Sequence, residues 1–223
     1  MKLASAAKLL LLVFLFSTVS GVAADGYKAE AIGAAPSADV PETVTGILEA
    51  QGTRLVGSQG PICEVWLRKN LTLGQAEGGM ADILYGQLAK GSVVGLVHLP
   101  NQGADFRGQT LKPGYYLLRY ALVPQDGAHV GVYPYRDALV LSPLSADTNV
   151  EKILEFADMV KLGCMVSGTP HPAFLVMAPV DDGQALPSVG KDESGFRSLQ
   201  LEAHGTNGNL KIGITLVGKW EGM

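Results

Sequence analysis

The sequence predicts a mainly β protein, an antiparallel β-sandwich or open barrel with one packed amphipathic helix near residues 149–162. Two observations carry this prediction. The 28 glycines and 12 prolines lie largely at turn positions, and short apolar runs of strand length separate them. Only one segment has apolar residues spaced three and four apart, the spacing that is typical of a helix. Many strands with one helix are typical of sandwiches and barrels.

The first 24 residues are expected to be a signal peptide. Lys2 and Lys8 flank the start of an apolar run over residues 9–16, and small residues end the segment at Ala24. The run is far shorter than the ~20 residues that span a bilayer, which disfavours the alternative of a membrane anchor, and no second hydrophobic segment follows. Cleavage near Ala24 predicts a secreted or periplasmic chain, with a flexible lead over 25–43 and a single β-sandwich domain over 44–223.

Nine segments have the composition of strands. Alternation is clearest over 62–71, where Cys63, Val65 and Leu67 share one face. The turn Ala89-Lys90-Gly91 has hairpin spacing between two of the segments. The predicted strands are 43–50, 62–71, 83–88, 92–99, 114–124, 137–144, 173–178, 196–203 and 210–220.

The predicted helix has recognisable signals at both ends. Asp147 or Thr148 can cap its first turn, and Glu151 lies where the helix dipole favours negative charge. Val150 begins the apolar stripe, and Gly163 supplies a left-handed stop. We expect this helix to cover one face of the sheet.

A turn and strand near the middle of the chain carry the one family resemblance. The segment Leu111-Lys112-Pro113-Gly114-Tyr115-Tyr116-Leu117-Leu118 resembles the L-x-P-G-x-Y-x-L motif of prealbumin-like and carboxypeptidase-regulatory-like sandwich domains. Pro-Gly makes a tight turn at a sheet edge, and the following aromatic anchors the new strand. The resemblance covers under a dozen residues. It implies a sandwich fold and nothing about a ligand.

The two cysteines that follow the signal segment are Cys63 and Cys164. In an oxidising compartment we expect them to form a disulfide. The alternative is two buried thiols that never meet, because sequence does not show how closely their Cα atoms approach.

Arg119 lies in the middle of the strand predicted over 114–124, an unusual position for an unpaired cation. We expect a buried structural ion pair with a carboxylate, with Glu64 or Asp137 as its candidate partner.

Charge and motifs exclude several function classes. The signal segment contains two lysines and no acid, so the remaining chain carries a net charge of −6, and no basic cluster is longer than Arg68-Lys69. Such a chain is not expected to bind nucleic acid. The four histidines are far apart in sequence, and CxxC, Gly-x-Ser-x-Gly and glycine-rich phosphate loops are absent. We therefore expect no metal and no cofactor.

The loop over residues 124–137 is the candidate binding site, because binding residues are concentrated on loops held by rigid scaffolds. The alternative is an ordinary connection with solvated side chains. A second polar group over 105–109 precedes the same strand, so we expect the two to lie roughly 30 Å apart, at opposite ends of it. The candidate residues in the loop are Asp126, His129, Tyr133, Tyr135, Arg136 and Asp137.

These observations favour a non-catalytic exported module that binds a glycan, an envelope component or a protein partner. Trp66, Tyr133, Tyr135 and Trp220 could supply flat docking surfaces, or could instead fill the core. The alternative function is a hydrolase or metal-dependent enzyme that uses His129 with Asp126 or Asp137. Convergence of these side chains in one pocket would distinguish the two.

Overall fold

Ten strands form one antiparallel sheet that curls into a nearly closed barrel, so the predicted mainly β fold is confirmed. The computed structural model of the chain describes residues 25–75, 81–125, 133–181 and 183–218. Within these residues no helix is both long and apolar enough to cross a bilayer.

The first strands of the sheet follow one another as a β-meander, whereas the last three lie in reverse order. The strands are β1 (Lys28–Ile32), β2 (Gly52–Gly57), β3 (Gly60–Leu67), β4 (Val93–Leu99), β5 (Gly103–Ala104), β6 (Thr110–Leu111), β7 (Gly114–Leu122), β8 (Asp137–Pro143), β9 (Phe174–Ala178), β10 (Ser188–Lys191), β11 (Arg197–Gly205) and β12 (Gly208–Val217), and the helices are α1 (Glu42–Thr45) and α2 (Phe156–Ser167). The sheet order is β1-β2-β3-β4-β7-β8-β9-β12-β11-β10, and β5 and β6 form a separate small hairpin.

Alternate side chains from all ten strands of the sheet fill the barrel interior. Cys63, Val65 and Leu67 point into this core, on the shared face that their alternation predicts. Tyr116, just after the Pro-Gly turn, also lies in the core, and its hydroxyl donates to the Lys112 carbonyl at 2.8 Å. The aromatic thus fixes the turn that leads into β7.

Two segments cover the outer face of the barrel. The residues around α1 pack Val40 and Val44 against Trp66. Helix α2 packs Met159 against the outer face of β7 and β8. The prediction of a flexible lead over 25–43 is wrong in part, because this stretch contains β1, which pairs with β2 along its whole length and buries Ala29.

Helix α2 begins and ends later than the sequence predicts. It starts at Phe156, and the carbonyls of Asn149 and Lys152, before the helix, accept hydrogen bonds from Arg119. Gly163 lies inside the helix, where a Cβ would approach the Pro172 Cβ to 2.6 Å, so glycine permits close packing there. The left-handed stop is Gly168, with φ of 68°.

Two of the predicted strands are not formed, and the structure contains strands that were not predicted. Residues 43–50 contain part of α1, and residues 83–88 form turns that pair only through an isolated Leu73–Leu88 bridge. The short strands β1, β2, β5, β6 and β10 were not predicted. Both strand β2 and strand β10 contain glycine, which weakens the alternating pattern.

We call β10–β12 the C-terminal meander. Two residue pairs join it to β9, Gly213 with Ala178 and Ile214 with Met177. The Tyr85 hydroxyl strengthens this junction by donating to the Ala178 carbonyl at 2.5 Å and accepting from the Gly213 amide at 2.9 Å.

The opposite edge of the C-terminal meander faces β1, and the described residues show no strand pairing between β1 and β10. Ion pairs span this seam. The Asp25 carboxylate lies 2.6 Å from the Lys191 Nζ and 3.1 Å from an Arg197 terminal nitrogen. Arg197 also lies over the Tyr27 ring, 5.4 Å from its centroid.

The predicted disulfide is wrong, because Cys63 and Cys164 are both free thiols. Cys63 points into the barrel core, whereas Cys164 lies on α2, outside the barrel, so the sheet separates them. Burial raises the pKa of the Cys63 thiol to about 12.

We expect thiol labelling to separate the two cysteines. Denatured, unreduced protein should contain two free thiols, measured by maleimide labelling and mass spectrometry. In the native protein only the half-buried Cys164 should react quickly, because the thiolate is the reactive form and Cys63 is buried and protonated. Absence of free thiols in the denatured chain would contradict this arrangement.

Candidate ligand-binding cleft

An apolar cleft of about 150 Å³ lies on the outer face of β7, β8 and β9. Its floor is made of side chains that alternate outward from these strands, and most of them are small. Because alanine and valine fill little space above a sheet, they leave a depression between taller neighbours. The floor residues are Ala121, Val123, Ala138, Val140, Phe174 and Val176.

Four segments form the walls and rim of the cleft. The first turns of α2 contribute Phe156 and Val160. The β5–β6 loop contributes Phe106 and Arg107. The segment 133–136 and the stretch His171-Pro172 complete the rim.

The β5–β6 loop is held by a buried carboxylate. The Asp105 Oδ1 accepts hydrogen bonds from the backbone amides of Arg107 at 3.0 Å and Gln109 at 2.8 Å, and its Oδ2 accepts from the Gln109 Nε2 at 2.7 Å. Burial raises the pKa of Asp105, although these hydrogen bonds oppose that effect. The loop therefore presents Phe106 and Arg107 in a fixed position.

A hydrogen-bond chain connects this loop to the segment that follows α2. The Thr169 hydroxyl donates to the Gln109 Oε1 at 2.5 Å, and the Thr169 hydroxyl oxygen also accepts from the His171 amide at 3.1 Å. The Phe106 and His171 sides of the cleft are therefore connected through polar groups below the rim.

Aromatic contacts order the remaining wall. The Tyr133 ring makes an edge contact with Phe106, with centroids 5.1 Å apart, and a second one with Tyr135 at 6.1 Å. Phe106 also contacts Phe196 at 5.5 Å. Burial raises the pKa of Tyr133, whose hydroxyl is hydrogen-bonded to Thr215. Edge contacts of this kind favour a defined ring orientation.

The two polar groups that flank β7 meet in one cleft, contrary to the sequence prediction. The β5–β6 hairpin turns back over the outer face of the sheet, and the Phe106 amide donates to the Phe174 carbonyl at 3.5 Å. The expected distance took account only of strand rise along β7 and not of the path of the hairpin. A signal was present, since Asp105 with Gly108 three residues later is typical of a turn.

Asp137 does not belong to the cleft. It is completely buried on the inner face of β8, where it accepts hydrogen bonds from the Leu84 amide at 2.7 Å, the Tyr85 amide at 2.9 Å and the Tyr120 hydroxyl at 2.7 Å. Its partners are structural. The other two members of the candidate enzymatic group, Asp126 and His129, lie outside the described residues.

Arg136 is part of the cleft rim and has partners of its own. Its Nε donates to the Val123 carbonyl at 2.9 Å and lies 4.0 Å from an Asp82 carboxylate oxygen. The Gln125 side-chain amide also donates to Asp82. Of the predicted loop, Tyr133, Tyr135 and Arg136 therefore line the cleft, with Asp82 as a companion that the sequence analysis missed.

Arg119 is fully buried and pairs with Asp147, not with Glu64 or Asp137. Its Nε and one terminal nitrogen donate to the two Asp147 oxygens at 2.5 and 2.6 Å. The remaining three N–H groups donate to the carbonyls of Gly91, Lys152 and Asn149, at 2.7, 2.8 and 3.1 Å. All five donors are satisfied, so Arg119 holds residues 147–152 on the barrel.

Glu64 instead belongs to a polar row across the outer face of neighbouring strands. It accepts hydrogen bonds from Arg54 at 2.5 Å and contacts the His98 Nδ1 at 2.9 Å. Burial alone would raise the pKa of Glu64, but the His98 and Arg54 hydrogen bonds outweigh it and lower the pKa. His98 in turn stacks on Tyr115, with ring centroids 4.1 Å apart.

The tryptophans that were predicted as docking aromatics do not contribute to the cleft among the described residues. Trp66 is buried under the α1 segment, and its indole N–H donates to the Gly33 carbonyl at 2.8 Å, so it is a core residue. Trp220 lies outside the described residues. Across the part of the chain that the structure describes, no three histidine, cysteine or acidic side chains form a cluster that could hold a metal.

A second cavity of about 170 Å³ lies beside β3 and the β4–β5 connection. Its lining includes Cys63, Leu99 and Asn101 and contains no charged residue. The cleft on β7–β9 differs from it in combining an apolar floor, aromatic walls and charged groups at the rim. That combination is typical of ligand sites.

Comparison of the chain with protein-family models, with curated proteins and with solved structures gives no significant match.

Proposed function

We propose that this chain is an exported, non-catalytic binding module that receives an apolar group of its ligand in the cleft on β7–β9. The observation that carries the proposal is the construction of the cleft, in which Ala121 and Ala138 keep the floor low between aromatic walls. Most of the floor is buried, the wall residue Phe156 is 42% exposed, and an apolar cleft that opens to solvent beside a few polar groups is typical of a ligand site.

Rigid surroundings support a binding role. The walls are cross-linked by the hydrogen bonds of Asp105, Gln109 and Thr169. A site whose side chains are already ordered loses little conformational entropy when a ligand binds. The enzyme alternative is not favoured, because Asp137 is committed to structural hydrogen bonds inside the barrel.

Export is supported by the sequence alone. The signal-like segment that ends near Ala24 precedes the first described residue, Asp25, which contributes to the barrel seam. The glycan, envelope component or protein partner expected from the sequence would then present an apolar group to the cleft.

We expect the one-ring neutral compound 3-phenylpropanamide to bind in the cleft weakly, with a Kd on the order of 1 mM. Titration into ¹⁵N-labelled protein should shift the amide resonances of Ala121, Ala138 and Val140. Ala138→Ile fills the floor and should weaken binding at least about tenfold, since a lost apolar contact site of this size is worth more than 1.4 kcal/mol.

The matched control is Ala31→Ile, which adds the same bulk at an exposed position of β1, away from the cleft. It should leave the affinity unchanged. Shifts confined to other regions, or equal affinity in Ala138→Ile and wild type, would refute the cleft as the binding site.

A further inference from the structure

We propose that the cleft takes a small aromatic or branched aliphatic carboxylate, whose apolar part lies on the floor and whose carboxylate pairs with Arg107. This proposal rests on the proposed function of the cleft and adds the chemical class of the ligand.

The size of the cleft limits the apolar part of the ligand. A cavity of about 150 Å³ is comparable to one that holds a single benzene ring. The floor side chains are all apolar, so they offer no hydrogen bond to a sugar hydroxyl or an amide. One aromatic ring or a short branched chain fits these two constraints.

The charges at the rim of the cleft indicate the charge of the polar part of the ligand. Among the residues that the structure describes, three basic side chains line the cleft, Arg107, Arg136 and His171, and one acidic side chain, Asp82. Asp82 is already engaged by Arg136 and Gln125. The rim is therefore basic, although the whole chain has a net charge of −4. A ligand anion would compensate this local excess.

Arg107 is the cation that is available to the anion. Its side chain is exposed, and within the described ranges its guanidinium has no hydrogen-bond or ion-pair partner. Its backbone is nevertheless fixed, because its amide donates to the buried Asp105. A guanidinium binds a carboxylate through two parallel hydrogen bonds, which suits an anchored arginine beside an apolar floor.

The experiment compares 3-phenylpropionate with its neutral isostere, 3-phenylpropanamide, by the same NMR titration at low ionic strength. Wild-type protein should bind the acid about fivefold more tightly than the amide, the range expected for an exposed ion pair. In Arg107→Gln the affinities for the acid and the amide should become equal. The charge-matched control Lys69→Gln, at an exposed position outside the cleft, should retain the preference.

Three results would overturn the proposal. Equal affinities of acid and amide in wild type would show that no carboxylate is recognised, and a preference that persists in Arg107→Gln would assign it to another group. Either of these two results would leave the apolar cleft standing as a binding site. Failure of the amide itself to bind would remove the cleft, and with it both proposals.

Discussion

Replacing Arg119 with methionine is expected to lower the free energy of unfolding by about 3–5 kcal/mol, measured by urea denaturation. Methionine retains much of the side-chain volume but removes all five N–H donors. The Asp147 carboxylate, which is 5% exposed, then stays buried without its counter-charge. Three backbone carbonyls in the Gly91 and Asn149–Lys152 regions lose a donor as well.

The control for this substitution is Arg54→Met, which breaks a pair with Glu64 on a side chain that is 36% exposed. Solvent replaces much of that interaction, so the loss should stay within about 1 kcal/mol. A similar small loss for Arg119→Met would mean that residues 147–152 are held on the barrel by other contacts.

Replacing Asp137 with alanine is expected to cost about 3–5 kcal/mol of unfolding free energy. The buried amides of Leu84 and Tyr85 lose their acceptor, and each unsatisfied buried group costs about 1–3 kcal/mol. The Tyr120 hydroxyl loses one hydrogen bond in addition. Because Asp137 points into the barrel, the folded protein should bind 3-phenylpropanamide with unchanged affinity.

Asp158→Ala is the matched control, since it removes a carboxylate that pairs with Lys161 on the exposed face of α2. Its effect should be within about 0.5 kcal/mol. If Asp137→Ala were as mild, or if it abolished ligand binding in the folded state, Asp137 would belong to the binding site and not to the fold.

Alternation and composition were sufficient to predict the architecture. The face shared by Cys63, Val65 and Leu67 follows from the pleat of a strand, and the barrel places it inside. The same rules failed for β2, where glycines at both ends leave only a short pattern, and for β10, which Gly190 interrupts. They also failed for Gly163, where glycine permits close packing within α2 instead of ending it. A glycine signals freedom of the backbone, and only the tertiary neighbours decide how it is used.

Contacts between residues that are far apart in the sequence were the least predictable property. Arg119 required a carboxylate, but the choice of Asp147 depends on a loop folding over the outer face of β7. The cleft depends in the same way on the β5–β6 hairpin turning back toward Phe174. Sequence rules describe distances along one strand, whereas both features bring together segments whose contact is set by side-chain packing between them.

The C-terminal meander is attached to the rest of the barrel by interactions that differ from those within each part. Within the meander, and within the sheet from β1 to β9, ladders of hydrogen bonds fix the register, and slippage by one residue would turn apolar side chains to solvent. Between these two parts, two residue pairs and the Tyr85 hydroxyl bridge one side, and the Asp25 ion pairs bridge the other. An isolated bridge between Leu71 and Gly205 adds a further backbone contact. Most of the attraction there is apolar and has no preferred direction. Fewer directional hydrogen bonds therefore join the two parts to each other than hold either part together.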